Sequence, residues 1–341
     1  MTRHRIALIG LGMAVTPHAK SLLELVPRVE VACCMSPSAP RRSAFSARFP
    51  FPTADSLEPI LQDRSITAAA VLTPPSTHLD IARRLARAGK HVLLEKPLEV
   101  STVRANELVG ACSNAGVVLG VVLQHRFKPA AERLAAVLRS GCLGPLVNCS
   151  TSIRLWRPQS YYDEPGRGTK ARDGGGALLT QGIHTLDLML SLAGPIAEVS
   201  GYAQTTPVHR METEDLVCAA VRFASGAVGV IDATTAAYPG GPERIALIGT
   251  EGTATLAGTA LTVHHHDGRR EELAADASAG GTGADPMAFP HDYHLAVWRD
   301  FLDAIETNRP PRVSGAEALK VHRLIDALLA AGATGRPVEV R

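Results

Sequence analysis

The N-terminal part of the chain alternates short apolar runs with longer amphipathic ones, and this alternation limits its fold more than any other feature. Apolar runs such as Ile6–Ile9, Ala68–Leu72 and His91–Leu94 predict strands, with predicted helices between consecutive strands. Strands that alternate with helices are typical of a parallel sheet. The continuous apolar segment Val117–Leu123 favours a strand covered on both faces. We therefore expect an α/β domain with a doubly wound parallel sheet over residues 1–123.

Beyond residue 123 the pattern changes. A glycine-rich polar loop separates two predicted helices, Pro129–Ser140 and Ile183–Leu192. From Val199 to Leu273 the strand-like runs follow one another with short connections, which is typical of an antiparallel sheet. We expect a second domain over residues 124–341, of the α+β class, with a large, mainly antiparallel open sheet. After a loop at Ala277–Pro286, the pattern predicts two closing helices, Tyr293–Glu306 and Ala316–Ala331.

Composition agrees with two globular domains. The 341 residues are 45% hydrophobic and 20% charged, so the chain can bury a sizeable core. The 35 basic and 33 acidic residues are spread along the sequence and do not call for nucleic acid or an anionic membrane as partner. The six cysteines form no C-x-x-C pair and are predicted to be reduced. Without an apolar leader or a membrane-length apolar run, we expect a cytoplasmic protein.

A glycine-rich turn follows the first predicted strand. Gly10 and Gly12 stand between the strand Ile6–Ile9 and a predicted helix. A dinucleotide-binding fold needs glycine there, for a tight turn and for close approach of the backbone to a pyrophosphate. Val15 stands where the full fingerprint has glycine or alanine, so an ordinary strand-to-helix turn is the alternative. The position in the chain favours a nucleotide, with contacts from Gly10, Gly12 and Met13.

The second predicted strand does not end in an acidic residue. Val29–Met35 is followed by Ser36, with Arg41 and Arg42 close behind. A carboxylate at this point normally binds the ribose hydroxyl of NAD, whereas guanidinium groups favour a 2′-phosphate. The sequence therefore slightly favours NADP, with Ser36 and Arg41 as contacts. The alternative is that both arginines form the solvated face of a helix.

Two charges follow the buried strand His91–Leu94. Glu95 and Lys96 stand at its carboxyl end, the edge at which open α/β sheets bind ligands. Pro97 then biases the backbone of Lys96 away from a helix. Taken alone, a lysine at a strand end is more often a surface residue.

Five sequence segments, spread over more than half of the chain, occur in an order that is typical of one protein family: Ile9–Gly12, Leu72–His78, Ala88–Pro97, Gln124–Pro129 and Gly174–Leu188. With them the sequence resembles the Gfo/Idh/MocA family of nicotinamide-dependent sugar and polyol oxidoreductases. The resemblance implies a Rossmann domain, a second domain that binds substrate and often mediates oligomers, and catalysis between the two. We accordingly expect further cofactor contacts from Thr73, Pro74, His78, Glu95 and Lys96.

His184 follows a triple glycine and opens an amphipathic helix, with Asp187 on the same face. Histidine is suited to deprotonate an alcohol, although a histidine that only caps the helix is an equal alternative on the sequence alone. The family resemblance implies that Lys96 and His184 flank the reacting carbinol. Many members add an acid where this chain has Thr180, beside Gln181. The missing acid leaves Asp187 as a candidate to orient His184 from behind.

The remaining candidates concern the substrate and metals. We expect Arg126, Trp156, Arg172 and Gln181 to join Lys96 and His184 in binding substrate, since aromatic and cationic side chains gather in one polar loop; a packed or subunit-contact loop is the alternative. His264–His266 point to opposite faces of a strand and chelate poorly, so we predict no metal. His291 and His294 share a helical face that is a weak candidate for the site.

The sequence therefore predicts an oxidoreductase that transfers hydride between NAD(P) and a hydroxyl or keto carbon of a sugar, polyol or sugar derivative. Expected partners are that small molecule and other copies of the chain, as a homodimer or homotetramer through the C-terminal sheet. One alternative is a cofactor-bound sugar sensor without turnover, motivated by Thr180 and Val15. Another is an enzyme that uses bound nicotinamide transiently, without net redox.

Overall fold

The computed structural model describes residues 3–276 and 290–341, which form two compact units. The first unit extends from the N-terminus to Val122 and includes His291–Leu319, and the described residues of Leu123–Pro290 form the second unit together with Lys320–Arg341. The sequence divided the chain once, at residue 123, whereas packing returns a late segment to the first unit. The predicted loop at Ala277–Pro286 lies outside the described residues.

The first unit is built on a parallel sheet. Its order is β3-β2-β1-β4-β5-β6, which is the strand order of a Rossmann fold. Every neighbouring pair is parallel. The strands are β1 (His4–Ile9), β2 (Val29–Met35), β3 (Thr53–Ala54), β4 (Ile66–Val71), β5 (His91–Leu94) and β6 (Leu119–Val121). The carboxyl ends of the adjacent strands β1, β4 and β5 consequently share one edge.

Helices cover this sheet. They are α1 (Val15–Glu24), α2 (Ala39–Ser46), α3 (Glu58–Gln62), α4 (His78–Arg87) and α5 (Thr102–Asn114). Helix α4 illustrates the local causes: Leu79 and Leu85 are buried on one face, Asp80 lies in the first turn, and Arg84 and Arg87 lie in the last. That charge order complements the helix dipole.

The late segment completes the first unit. Its long helix, α10 (Asp292–Thr307), packs against α1, and the ring of fully buried Phe301 lies over Gly120 in β6. The N–H of Val121 donates to the carbonyl of Val313 at 2.9 Å. The segment therefore contributes both core and backbone pairing, which explains why it belongs with a sheet formed about 200 residues earlier.

The second unit is built on a sheet of nine described strands in the order β14-β13-β12-β11-β7-β10-β9-β8-β15. Only β7 and β10 pair in parallel, so the predicted, mainly antiparallel open sheet is confirmed. The strands are β7 (Leu146–Arg154), β8 (Ile196–Gln204), β9 (Leu216–Phe223), β10 (Val228–Thr234), β11 (Arg244–Gly249), β12 (Gly252–Ala257), β13 (Ala260–His265), β14 (Arg270–Leu273) and β15 (Val338–Glu339).

Helices pack on one face of this sheet. They include α6 (Pro129–Arg139) and α9 (Ile183–Ala193), while α7 (Gln159–Tyr162) and α8 (Lys170–Asp173) lie in the loop that the sequence predicted as irregular. Helix α11 (Gly315–Thr334) begins in the first unit and ends in the second. Within the two described ranges, no helix combines the length and apolar character that crossing a membrane requires.

The other face of the nine-stranded sheet is exposed. Along β9, Val217, Ala219 and Val221 are buried, whereas the alternate residues Cys218 and Ala220 face outward and are exposed. Tyr202 is 77% exposed, and Val228 and Val230 are about half exposed. The outward side of a solvated sheet is usually polar, so these exposed apolar side chains are a distinctive feature of this face.

Candidate functional site

The turn between β1 and α1 has the backbone that a dinucleotide site requires. Gly10 has φ +103°, and a Cβ there would lie 2.8 Å from the backbone of Leu72, so only glycine fits. At Gly12 an added Cβ would meet nothing within 4 Å. In the described structure no side chain caps the N-terminus of α1, and its first turn carries no acidic residue. The N-terminus of a helix attracts anions such as a pyrophosphate, but here Val15 donates its N–H to the carbonyl of Gly12 at 3.3 Å, and Pro17 has no N–H to offer.

The end of β2 carries cationic side chains in place of an acid. Ser36 is buried, and its carbonyl accepts a hydrogen bond from Arg42 at 2.6 Å. Arg41 is exposed, and its backbone N–H is capped by Ser38. Of the two arginines, Arg42 is therefore partly committed to the backbone, whereas Arg41 extends toward solvent as the predicted phosphate contact.

The loop after β4 is tied to the segment after β5 by one buried histidine. Nε2 of His78 lies 2.8 Å from the carbonyl oxygen of Thr73, and its Nδ1 lies 3.0 Å from that of Pro97. Burial lowers the pKa of His78. Its side chain is fully buried between carbonyl oxygens of the two loops, which it holds together, and its predicted contact with a cofactor stays a prediction. Thr73 itself is hydrogen-bonded to Thr77 at 2.7 Å.

Glu95 follows β5, and its carboxylate is held from two sides. Its Oε1 lies 3.0 Å from Nε2 of His18, and its Oε2 accepts the backbone N–H of Lys96 at 3.0 Å. Burial raises the pKa of Glu95, but the hydrogen bond from His18 and the nearby charges outweigh this effect and lower it to about 2. The ionised carboxylate thus faces the backbone of the candidate catalytic lysine. Its predicted contact with a cofactor stays a prediction.

Helix α10 supplies the other neighbours of this carboxylate. Nε1 of Trp298 donates to Nδ1 of His18 at 3.1 Å. The ring of His294 meets that of His18 edge-on, with centroids 5.0 Å apart, and its Nε2 lies 3.9 Å from Oε1 of Glu95. Burial is the main cause that lowers the pKa of His294, and the neighbouring His18 is the second. The value falls to about 3, so this ring is neutral. The described residues thus place two histidines, one carboxylate and one indole around the segment before Lys96.

In the second unit, Glu214 fixes the backbone that leads to His184. Its carboxylate accepts the N–H groups of Gly176 and Leu178 at 3.1 Å each, and its carbonyl accepts that of Ala177 at 2.8 Å. A Cβ at Gly176 would lie 1.9 Å from that carbonyl oxygen, so the glycine is required. Burial raises the pKa of Glu214, and the two N–H donors oppose the rise.

A π-helical turn, Leu178–Gly182, connects this clamp to α9. Such turns are rare in proteins overall, and those that occur are frequently found at functional sites. Thr180 lies in the turn and donates to the carbonyl of Gly176 at 2.7 Å. The turn therefore sets the positions of Thr180 and Gln181, which lie within it, and of His184, which follows it.

His184 stacks on His125. The ring centroids are 4.9 Å apart and the planes are inclined by 32°. Nδ1 of His125 lies 3.4 Å from the hydroxyl of Thr185 and 3.7 Å from a carboxylate oxygen of Glu243. Two stacked imidazolium charges repel each other, so the arrangement favours a state with at least one neutral ring. A neutral imidazole accepts a proton from an alcohol.

Arg126 and Asp187 form a bidentate ion pair. The guanidinium donates to the two carboxylate oxygens at 2.7 and 2.6 Å, and Asp187 is buried. Paired bonds of this kind fix both side chains in place. Arg126, predicted to bind substrate, therefore has two of its donor groups engaged within the unit, and Asp187 is anchored one turn beyond His184.

The aromatic loop reaches the π-helical turn through Tyr161. Its hydroxyl accepts hydrogen bonds from Arg167 at 2.9 Å and from Gln181 at 3.3 Å, and the Arg167 guanidinium lies 4.6 Å from the ring centroid. Trp156 and Arg172, the other predicted substrate contacts, are half-buried in the same loop. Trp156 meets Tyr238 edge-on, while Arg172 donates to the carbonyl of Pro165. Within the second unit, Gln181 of the π-helical turn therefore lies beside this aromatic loop.

Several of these groups escaped sequence reasoning. His18 lies 77 residues before Glu95, and Trp298 lies 280 residues after His18. Glu214 precedes a strand and carries no motif. The only sequence signal was the helical spacing of His291 and His294, which indicated a shared face but not what that face packs against.

Two family models match the chain. The model described as an oxidoreductase family with an NAD-binding Rossmann fold covers residues 4–123, and that of the Gfo/Idh/MocA C-terminal domain covers residues 131–255. Together they cover well over half of the sequence.

Related proteins and solved structures point to the same family as the two family models. The chain is 27% identical to D-xylose 1-dehydrogenase (NADP(+)) 2 of Haloferax volcanii, over 91% of this chain and 92% of that protein. It is 26% identical to scyllo-inositol 2-dehydrogenase (NAD(+)) of Bacillus subtilis, over 92% and 91%. The WlbA dehydrogenase of Bordetella pertussis, solved with NADH and UDP-GlcNAcA, superposes with a TM-score of 0.85 at 27% identity over 99% of both chains. The chain belongs to the Gfo/Idh/MocA family of NAD(P)-dependent oxidoreductases that act on CH–OH groups.

Proposed function

We propose that this enzyme transfers hydride between NAD(P) and a hydroxyl-bearing carbon of a sugar or polyol, with Lys96 and His184 acting on the reacting oxygen. The observation that carries the proposal is the common edge of β1, β4 and β5. Gly10, Thr73 and Lys96 lie within two residues of the ends of these three adjacent strands, so the glycine turn and the lysine lie at the same edge of one sheet.

The residues divide the work as follows. The turn of Gly10 and Gly12 lets the pyrophosphate approach the backbone before α1, and Arg41 and Ser36 bind the ribose and its 2′-phosphate. The Lys96 ammonium donates a hydrogen bond to the substrate oxygen and stabilises negative charge that develops on it. The imidazole of His184 accepts the hydroxyl proton during oxidation and returns it during reduction. The bound nicotinamide supplies the hydride acceptor or donor.

A lysine variant tests the proposal. Lys96→Ala is expected to lower kcat at least 100-fold and to leave the Kd for the cofactor within about 3-fold, because the ammonium serves the chemical step. Lys20→Ala, an exposed lysine on α1, is the matched control and keeps full activity. Turnover by Lys96→Ala equal to that of the control contradicts the assignment.

The substrate is proposed as a class. Relatives carry the names of xylose and inositol dehydrogenases, and the WlbA structure holds a sugar nucleotide. We propose that Gln181, Trp156, Arg172 and Arg126 bind the hydroxyls around the reacting carbon. A panel of pentoses, inositols and sugar nucleotides, followed by cofactor reduction, identifies the class, and Gln181→Ala is expected to raise KM for the responding sugar.

For the cofactor we propose a preference for NADP, since no acid follows β2 and Arg41 is exposed there. Arg41→Ala is expected to raise KM for NADP about 10-fold and to leave KM for NAD unchanged, because only NADP carries the 2′-phosphate. Equal effects on both cofactors contradict the preference.

We also propose that the outer face of the nine-stranded sheet joins copies of the chain into a homodimer or homotetramer. The exposed Tyr202, Val228 and Val230 support this, because large apolar side chains on the outward face of a sheet are often covered by a partner. Val230→Asp is expected to shift the mass measured by light scattering to that of the monomer. A wild-type protein that is already monomeric contradicts this proposal.

A sensor without turnover is the second candidate function. It is favoured by Thr180 in the π-helical turn, where the family resemblance implies an acid. Stopped-flow mixing of the cofactor-bound enzyme with the sugar panel separates the two candidates. Hydride transfer at catalytic rates rules out the sensor, and sugar binding without transfer supports it.

A further inference from the structure

We propose that Trp298, His18 and Glu95 act as a positioning chain that fixes the backbone at Lys96 and thereby sets the rate of the chemical step. The inference rests on the proposed function, because it gives these residues a task only if Lys96 acts on substrate. Trp298 comes from the late segment that packs into the first unit, so the proposal also gives that segment a catalytic purpose.

The direction of each hydrogen bond follows from its donor. An indole nitrogen only donates, so Nδ1 of His18 must accept the N–H of Trp298 at 3.1 Å. The single ring proton of His18 therefore sits on Nε2 and is donated to Oε1 of Glu95 at 3.0 Å. The other carboxylate oxygen then accepts the N–H of Lys96. Each hydrogen bond in the chain therefore has one possible direction, and the indole N–H of Trp298 on α10 fixes the tautomer of His18.

The same direction excludes the most obvious competing role for this cluster. Ligand atoms of His18, Glu95 and His294 lie within 4.8 Å of one another, close enough to hold a metal ion. A metal would need the lone pair of the His18 Nε2, which requires the ring proton to move to Nδ1. There it would face the Trp298 N–H, donor against donor. The geometry therefore points to a hydrogen-bonded chain and not to a metal centre.

The burial of the chain makes it effective. His18 and Trp298 are fully buried, and Trp298 also packs edge-on against Phe301. Hydrogen bonds of this kind hold an acceptor tightly when water cannot compete. The other titratable groups near Glu95 are neutral His294 on α10 and Lys96 itself, with His291, which caps the start of α10, next to His294, and none of them replaces the indole N–H.

Trp298→Phe is the central variant, because it removes the N–H and keeps an aromatic ring. We expect kcat to fall about 10-fold to 100-fold, with KM for the cofactor within about 2-fold, since a displaced catalytic group costs rate while binding elsewhere is untouched. Phe301→Leu is the matched control: it disturbs an equally buried ring one turn along α10 but touches no polar group. We expect it to change kcat less than 2-fold at a comparable loss of Tm.

Histidine ring ¹⁵N spectra of labelled enzyme provide a readout that packing alone would not move. In the wild type the His18 ring is expected as the neutral tautomer protonated at Nε2, with His18→Asn identifying its signals. In Trp298→Phe we expect the signals of both neutral tautomers to appear, because Nδ1 no longer accepts the indole N–H that fixes the proton on Nε2. Phe301→Leu should keep the wild-type pattern. A His18 ring protonated at Nδ1 in the wild type overturns the proposal.

Glu95→Gln is the second variant and remains informative if Trp298→Phe folds poorly. An amide places an NH2 donor where the carboxylate has its second oxygen, so either the His18 Nε2–H or the Lys96 N–H then faces a donor, and kcat is expected to fall about 100-fold or more. Unchanged kcat in Glu95→Gln overturns the chain.

Failure of this inference is distinguishable from failure of the proposed function. If Lys96→Ala retains turnover, the function assigned to Lys96 is wrong whatever Trp298→Phe does. If Lys96→Ala loses turnover but Trp298→Phe behaves like Phe301→Leu, only the positioning chain is wrong. If both lose turnover, the double variant Lys96→Ala with Trp298→Phe should be no slower than Lys96→Ala alone, because the chain acts through the lysine. Additive losses contradict the proposal.

Discussion

The two units place their candidate residues in different ways. In the first unit, each candidate lies within two residues of the end of a strand of the parallel sheet, so its place is set by the local sequence: Gly10 after β1, Thr73 after β4 and Lys96 after β5. In the second unit, His184 follows a π-helical turn that is held by Glu214, 30 residues further along the chain. Strand-end residues are thus placed by the sheet itself, whereas the histidine depends on a long-range clamp.

The largest expected effect concerns His184, the proposed base, in the second unit. His184→Ala is expected to lower kcat 10²-fold to 10⁴-fold, because an alcohol then loses its proton without a positioned acceptor. The measurement is the pre-steady-state rate of cofactor reduction. His125→Ala removes the stacked neighbour and should cost much less, so equal losses in the two variants would show that the stack, and not His184, is essential.

The next effect tests the local placement in the first unit. Gly10→Ala forces a side chain into a positive φ and against the backbone of Leu72, at a cost of about 2 kcal/mol or more. We expect a lower Tm and loss of cofactor binding, measured by calorimetry. Gly12→Ala, with open space around its Cβ, is expected to leave Tm unchanged and to weaken only the binding of the cofactor. The reverse pattern would contradict the assigned roles of the two glycines.

The acid stability of the first unit depends on His294. Its pKa is lowered to about 3, so the unfolded chain binds a proton at higher pH than the folded one. The stability that neutral His294 contributes is therefore present above its ordinary value of about 6.5 and is lost as the pH falls from there toward 3. His294→Gln is expected to flatten the decline of Tm over this window. A curve parallel to that of the wild type would contradict the burial of a neutral ring.

Glu214 gives the opposite and smallest effect, in the second unit. Because burial raises its pKa, the folded protein holds its proton to higher pH than the unfolded chain. This contribution is present below the ordinary value of about 4.5 and is lost as the pH rises through the raised one. Relative to Glu214→Gln, wild-type Tm is thus expected to decline as the pH rises above 4.5. Thermal melts in matched buffers measure the difference, and a decline on the acid side instead would reject it.

Sequence reasoning predicted most of the fold, because the signals are local. Strands β2 and β5 were predicted with their observed bounds, since apolar runs between turn residues specify them. The short strands β3 and β15 and the polar strand β14 were missed, because pairing with a neighbour and not an apolar pattern makes them strands. The helices α7 and α8 were missed for the same reason: each is four residues long and is held by loop contacts.

The candidate site could be predicted only in part. Residues that follow strands were identifiable because the edge of a parallel sheet is a known location for ligands. The partners of Glu95 were not, because hydrogen bonds across 77 and 280 residues leave no spacing to read. His78 and Arg126 show the converse limit: the sequence indicated chemistry, but the fold engages His78 in holding backbone and Arg126 in an ion pair.

The return of His291–Leu319 to the first unit has a consequence for biosynthesis. The six-stranded sheet is fully translated by residue 122, yet its buried Trp298 and Phe301 emerge about 200 residues later. At 5–20 residues per second the N-terminal part waits about 10 to 40 s on the ribosome without the helix that completes its core. We expect a nascent chain truncated at residue 123 to be bound by chaperones, and the full chain to be released from them only after α10 has emerged.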